Sequence, residues 1–239
     1  MHPESSGRGG RAMAQGAKYY DARLSGRRLQ EVYAIVSPRV RQYLEAETDF
    51  VLDHITRGAA VLDLGCGYGR IIPRLLAKAG RVVGIDNSWE SLAAARSYGH
   101  GLRGFELAAM DAAHLGFVAE SFDTVVCIQN GISAFKADPR ALFEESLRVT
   151  RRNGTALFST YADSFWEHRL DWFRDQAARG LVGEIDDRRT RRGEIVCRDG
   201  FRATTFSPEE LLRLTRGLPA EGTIQEVDGS SLFCVLRRR

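Results

Sequence analysis

An α/β fold with a seven-stranded, mostly parallel sheet is expected from three features of this 239-residue chain. Short apolar runs alternate with helical stretches between residues 59 and 160. That alternation is the pattern of strands joined by crossover helices, with both sheet faces covered. Glycine clusters stand where strands turn into helices. Near the C-terminus, two apolar runs flank Asp228-Gly229, a hairpin signal that adds two strands antiparallel to each other. Composition agrees, because 44% hydrophobic and 27% charged residues are globular proportions that exclude a disordered chain. No apolar run is long enough for a transmembrane helix, so no membrane partner is expected.

The elements follow in order. Residues 1–16 are rich in Gly, Ser and Arg and lack an apolar stretch, so they read as a disordered lead and not a secretory signal. Residues 17–57 read as an N-terminal helical cap. Leu29, Val32, Tyr33 and Val36, then Val40, Tyr43, Leu44, Val51 and Ile55, recur at helical spacing. Ser37-Pro38 divides two helices, since Ser caps well and Pro suits the first helical position. Residues 58–161 form the core. Ala59–Leu64 is its first strand, and Arg70–Ala79 is a helix stopped by Gly80. Arg81–Asp86 is the second strand, followed by a helix over Ser88–Ser97 that Ser88 caps. Residues 104–110 and Phe122–Ile128 are strands three and four. Asp138-Pro139 opens a helix to about Arg151, Asn153-Gly154 stops it, and Thr155–Thr160 is the fifth strand.

The stretch 162–206 breaks the alternation and reads as a lid inserted after strand five. Ser164–Arg179 is helical with Phe165, Trp166, Leu170, Trp172 and Phe173 as anchors, an aromatic stripe that suits a core or a pocket wall. Glu184–Ile185, Glu194–Cys197 and Phe201–Phe206 are short strands. Residues 207–239 complete the core. Ser207-Pro208-Glu209-Glu210 is a capping box opening a helix to Arg216, and Thr223–Val227 with Ser231–Leu236 forms the hairpin.

Lys and Arg number 34 against 31 Asp and Glu, and the excess is spread evenly. It is +2 over 1–50, −1 over 51–150 and +2 over 151–239. No segment is strongly basic, which disfavours a nucleic-acid partner. Cys66, Cys127, Cys197 and Cys234 lie far apart without a CxxC pair. No metal site is expected from them, and reduced thiols suit a cytoplasmic location.

The most informative segment is Val61-Leu62-Asp63-Leu64-Gly65-Cys66-Gly67-Tyr68-Gly69-Arg70, where a strand becomes a helix. Glycines let the backbone approach a ligand, and a helix N-terminus donates amides. A dinucleotide fingerprint requires glycine where Arg70 stands, which disfavours a nicotinamide dehydrogenase. The Asp-x-Gly-x-Gly-x-Gly spacing resembles motif I of class I S-adenosylmethionine-dependent methyltransferases. Later segments are similar in order: Val83-Gly84-Ile85-Asp86-Asn87-Ser88, Met110-Asp111-Ala112, Ser121-Phe122-Asp123-Thr124-Val125-Val126, and Leu147 to Gly154.

That resemblance implies a Rossmann-like seven-stranded sheet with the last strand antiparallel, and S-adenosylmethionine as cofactor with S-adenosylhomocysteine as product. It implies that Asp86 accepts both ribose hydroxyls in charge-assisted bonds. Asp111 would accept the adenine amino group, with the Ala112 amide facing a ring nitrogen. Gly65, Cys66 and Gly67 would make room for ribose and methionine. Asp63 would orient the loop or reach the methionine ammonium, and the carbonyl of Ile128 or Gln129 would meet that ammonium too. Asn87 would lie beside the adenine, as would Trp89 unless it simply packs. Tyr20 would close over the cofactor.

The acceptor side is less defined. An Asn-Pro-Pro-Tyr tetrad is absent. Asn130, in Gln129-Asn130-Gly131, is loosely similar to the Gly-Asn-Ser segment of glycine- and sarcosine-type N-methyltransferases. The catalytic candidates are Asn130, to orient an amine or carboxylate; Tyr161, to hydrogen-bond the acceptor; and His168, a general base with an ordinary pKa near 6.5. Against these stand a loop amide bonding its own backbone and a surface histidine on an amphipathic helix. Arg70 is expected in a structural salt bridge. The favoured function is methyl transfer to a small-molecule amine or carboxylate-bearing metabolite. The alternatives are an RNA or protein methyltransferase and a catalytically silent S-adenosylmethionine-binding module. Nothing in the sequence sets an oligomeric state.

Overall fold

The computed structural model describes residues 24–239; the expected lead over 1–16 and Tyr20 lie outside the described residues. Helices α1 (Gly26–Ala34) and α2 (Pro38–Asp53) meet at Ser37, whose hydroxyl accepts from the Val40 amide at 3.2 Å. Then come β1 (Ala60–Leu64), α3 (Ile72–Leu76), β2 (Arg81–Asp86), α4 (Trp89–Tyr98), β3 (Phe105–Ala109) and β4 (Phe122–Cys127). A one-turn α5 (Gly131–Ala134) leads to α6 (Pro139–Val149) and β5 (Thr150–Tyr161). After α7 (Trp166–Ala178), β6 (Glu194–Val196) and β7 (Arg202–Thr204), the chain ends in α8 (Pro208–Thr215), β8 (Ala220–Val227) and β9 (Ser231–Arg238).

The seven-stranded sheet has the order β3-β2-β1-β4-β5-β9-β8. Strands β1 to β5 are mutually parallel, while β9 runs antiparallel to both β5 and β8. The antiparallel strand is the last in the chain, as expected, and lies one place in from the edge. Strands β1, β2 and β4 read as nearly unbroken buried runs because helices cover both faces. Strand order reverses between β1 and β4, which opens a crevice at their carboxyl ends.

Two expectations change. Helix α3 is confined to Ile72–Leu76. Asn153-Gly154 lies inside β5 and does not stop α6, which ends at Val149. Asn153 has φ +63°, and the β4–β5 register shifts between Phe122 and Thr124. A Cβ on Gly154 would lie 2.7 Å from the Asp123 carbonyl oxygen. A left-handed Asn followed by Gly serves a strand irregularity as readily as a helix end, because both need positive φ or missing side-chain bulk.

Segment 162–206 forms a one-turn 3-10 helix, α7 and the small β6–β7 sheet. Its aromatic stripe is core: Trp166, Trp172, Phe173 and Phe201 pack with Val32, Val40 and Tyr43 of the first two helices. The Trp172 indole donates to the Val32 carbonyl at 3.2 Å, and Arg28 donates to the Gly180 carbonyl at 2.6 Å. At its other end α1 rests on α4, where the Ser25 hydroxyl donates to Glu90 at 2.8 Å and the Gly26 amide to Ser91 at 3.3 Å. Helix α1 therefore spans the crevice from α4 to α7. Among the described residues, no helix is long and apolar enough to cross a membrane.

Candidate active site

The chain leaves β1 through Gly65, Gly67 and Gly69, with φ of +71°, +54° and +78°. Only glycine takes up that run without strain. Bulk is excluded too: a Cβ on Gly65 would lie 2.8 Å from the Phe135 ring, and one on Gly67 would lie 2.7 Å from Leu29. At the end of β2, Asp86 accepts from the Gly67 amide through Oδ2 and from the Ser88 amide through Oδ1, each at 2.9 Å. Its carboxylate is thus fixed at the mouth of a cavity of about 170 Å³. This cavity runs from Asp86, Asn87 and Ser88 past Gly65 and Gly67 to Ile128, Gln129, Asn130, Tyr161 and Phe173. A recess sharing Leu29, Tyr33, Gly67 and Gln129 descends to Asp63, Cys66 and Arg70.

Among the described residues, two buried polar atoms in the recess lack hydrogen-bond partners: Asp63 Oδ2 and Arg70 Nη2. Arg70 makes no ion pair among the described residues, contrary to the expected salt bridge; its guanidinium lies 5.1 Å from the Tyr33 ring centre. Burial pushes the Asp63 carboxyl up to about 7, with Arg70 opposing and Asp86 adding to the push. An unpaired buried carboxylate and guanidinium each carry a desolvation cost of roughly 1–3 kcal/mol or more. A zwitterionic amino-acid tail supplies what both lack, an ammonium for Asp63 and a carboxylate for Arg70. With Asp86 at the nucleoside end, the residues present fit S-adenosylmethionine.

The same burial has a measurable consequence. Asp63, and Glu47 on α2, both have carboxyls raised to about 7. A carboxyl raised in the folded state binds a proton more tightly there than in the unfolded chain. Its contribution to stability is therefore full below the ordinary carboxylate range and lost as pH rises through about 7. The ligand-free protein should lose thermal stability between about pH 5 and pH 8, by an order of 3 kcal/mol per group. Scanning calorimetry of Asp63→Asn should show a shallower fall, and an identical slope would refute this reading.

At the end of β4, Gln129 and Asn130 have φ of +56° and +61°, consecutive left-handed residues that are not glycine. Side chains hold them there. The Gln129 amide donates to Ser159 Oγ at 2.8 Å, and the Tyr33 hydroxyl donates to Gln129 Oε1. Asn130 Nδ2 donates to the Thr204 carbonyl at 2.8 Å, and the Thr160 hydroxyl donates to Asn130 Oδ1 at 2.8 Å. Both ends of the Asn130 amide thus tie β7 to β5. It neither bonds its own backbone nor points free into the cavity.

Tyr161 lines the cavity, its ring 5.3 Å from Tyr43 and 4.7 Å from the Arg169 guanidinium. Arg169 is 1% exposed and donates to the Ala203 carbonyl at 2.8 Å. His168 is exposed and does not line the cavity; its ring packs against Phe165 at 5.5 Å. Helical spacing turns Phe165, Trp166, Arg169 and Phe173 inward and leaves His168 outside. The structure thus gives no support to the expected general base. Asp111 is also apart from the cavity lining. Its side chain is 63% exposed, accepts from the Ala113 amide at 2.9 Å and pairs with His114 at 3.1 Å. Ala112 is buried in the core. Trp89 is 76% exposed. Burial pushes the Cys66 thiol far up, so it behaves as a small loop residue. Among the described residues, no group of His, Cys, Asp and Glu could hold a metal ion. Leu29 and Tyr33 were not expected in the lining, nor was the complete burial of Glu47. The first two carried only the apolar helix signal, and a lone acid in a helix carries no signal of burial.

A crevice at a strand-order reversal, with a glycine turn backed by a strand-end carboxylate, defines an α/β enzyme for a nucleoside cofactor. Residues 61–154 match a methyltransferase domain family. A phosphatidylethanolamine N-methyltransferase of Cereibacter sphaeroides is 40% identical over 144 residues, covering 54% of this chain and 70% of that protein. Among solved structures, the DhpI-SAM-HEP complex aligns with a TM-score of 0.63 at 23% identity, over 98% of this chain and 100% of that one. An S-adenosylmethionine-dependent methyltransferase from Methanosarcina mazei aligns at 0.59 and 21% identity, over 79% and 96%. The last two share the fold. The chain belongs to the class I S-adenosylmethionine-dependent methyltransferase family, and its cofactor is S-adenosylmethionine.

Proposed function

We propose that the protein methylates the nitrogen of a small amine in the part of the cavity between Gln129, Tyr161 and Phe173. The observation that carries this reading is the continuity of one walled cavity from the Asp86 carboxylate to Tyr161. A space of this kind, roofed by α1 and by segment 162–206, suits a small acceptor better than a folded polymer. The even charge distribution supports the same choice. The phosphatidylethanolamine N-methyltransferase relative supports nitrogen as the acceptor atom.

In this reading residues 17–57 are a cap, 58–161 with 207–239 the cofactor core, and 162–206 a lid. Asp86 holds the ribose diol, Asp63 the methionine ammonium and Arg70 its carboxylate. Gly65, Cys66 and Gly67 give the backbone close access, and the Ile128 and Gln129 carbonyls face the ammonium. Asn87, beside Asp86 in the cavity lining, serves the adenine. The bound cofactor supplies a methyl group activated on sulfonium. The chain's own contribution is to align the acceptor with it, and alignment of this kind is worth about 7–11 kcal/mol.

The test is formation of S-adenosylhomocysteine from S-adenosylmethionine with ethanolamine, phosphoethanolamine, phosphatidylethanolamine vesicles, glycine and sarcosine. One of these amines should gain a methyl group, detected by mass. Turnover on RNA or protein alone, or cofactor binding without turnover, would overturn the proposal. S-adenosylhomocysteine should also bind more tightly as pH rises through about 7, because its ammonium pairs with ionised Asp63. Asp63→Asn should remove that dependence in a calorimetric titration.

A further inference from the structure

Below the acceptor end of the cavity lies a buried polar cluster that the cofactor site does not use. Glu47 of α2 is 0% exposed. Its Oε1 accepts from the Ser231 hydroxyl at 3.1 Å, and its Oε2 has no hydrogen-bond partner among the described residues. Tyr43 lies one turn earlier on the same helix face, is equally buried, and its hydroxyl sits beside both the Glu47 carboxyl and the Tyr161 hydroxyl. Its ring packs on Tyr161, and Tyr161 reaches the cavity. The side chains thus stand in the order Glu47, Tyr43, Tyr161, acceptor space.

A carboxyl with one unpaired oxygen in a sealed interior is costly for packing alone. The groups facing it are Ser159 of β5, Ser231 of β9, Arg70 after β1 and Tyr43 on its own helix, while Cys127 of β4 feels its charge. Burial outweighs the stabilising neighbours and pushes the carboxyl up to about 7. Burial likewise pushes the Tyr43 and Tyr161 hydroxyls up, so both keep their protons and can hand them on only as they receive others.

We propose that Glu47 is the terminal proton acceptor of the methyl transfer, reached from the acceptor nitrogen through the hydroxyls of Tyr161 and Tyr43. This rests on the amine reading above. An ammonium has no lone pair, so one N–H bond must break, leaving its electron pair on nitrogen. That proton passes to the Tyr161 oxygen, the Tyr161 proton to the Tyr43 oxygen, and the Tyr43 proton to Glu47 Oε2. The nitrogen lone pair then takes the methyl group while the carbon–sulfur pair stays on sulfur. The Glu47 proton returns to solvent by the same path once product leaves. Tyr161 is the group that meets the acceptor, and Glu47 and Tyr43 act through it.

The test has two readouts on the full chain. Infrared spectroscopy of the S-adenosylhomocysteine complex should show a protonated-carboxyl band that titrates near pH 7 and is missing in Glu47→Gln. In turnover, wild-type kcat should rise as pH passes through about 7, because only ionised Glu47 accepts a proton. Glu47→Gln and Tyr43→Phe should each lower kcat by about 100-fold or more and flatten that rise, with S-adenosylhomocysteine affinity unchanged. The relay is overturned if folded Glu47→Gln or Tyr43→Phe keeps the pH-dependent rise. It is also overturned if no band assignable to Glu47 titrates between about pH 5 and 9. Wild-type protein that methylates no amine refutes the amine reading; the relay is then judged by adding ethanolamine to the complex at pH 7. Growth of the Glu47 band supports the relay, and an unchanged band overturns it.

Discussion

Replacing Asp86 with alanine should weaken S-adenosylhomocysteine binding by about 100- to 1,000-fold in a calorimetric titration. Two hydrogen bonds from a ribose diol to a carboxylate are charge-assisted, worth roughly 1.5–3 kcal/mol each. The Asp86 carboxylate is already held by the Gly67 and Ser88 amides, so no ordering cost offsets those bonds. The alanine variant also frees the Gly67 amide and loosens the glycine turn. Asp86→Asn separates the two effects. It keeps one acceptor for a backbone amide but loses the charge, so it should fall between wild type and alanine. Binding that survives Asp86→Ala would move the nucleoside end of the cofactor away from β2.

Asn130→Ala should lower the thermal midpoint by roughly 5–15 °C, measured by scanning calorimetry. The change removes two buried hydrogen bonds and leaves the Thr204 carbonyl and the Thr160 hydroxyl to find new partners. It also places alanine at φ +61°, where asparagine is far better tolerated. Together these amount to about 2–4 kcal/mol, which at this chain length corresponds to that shift. Hydrogen exchange should accelerate first in β6 and β7, because Asn130 is their tie to β5. Asn130→Gly relieves the backbone and not the bonds, so it should recover only part of the loss. An unchanged midpoint would mean that β7 is held by apolar packing alone.

Much of the cofactor side was legible in the residues themselves. The glycine turn after Asp63 reads directly because positive φ and close approach both demand glycine there, and the structure shows both at Gly65 and Gly67. Asp86 is legible because a strand-end acid beside that turn has few other uses. The acceptor side was not legible. His168 and Arg169 are adjacent in sequence, yet the helix turns them to different faces, so Arg169 is buried while His168, the expected base, is left outside the cavity. Asn153-Gly154 was ambiguous for a different reason, since one local conformation serves both a helix end and an irregularity within a strand.

By itself, the sequence determined the order of strands and helices, the turn that approaches a nucleoside and the methyltransferase family. These depend on local periodicity and on backbone conformations that few residues tolerate. Only the tertiary structure decided which polar groups are withdrawn from water and how they are paired: Asp63 Oδ2 and Arg70 Nη2 without a hydrogen-bond partner among the described residues, Asn130 spanning two strands, and Glu47 behind two tyrosines. Desolvation and pairing depend on residues far apart in the chain, and a carboxyl's chemistry changes with its surroundings while its letter in the sequence does not.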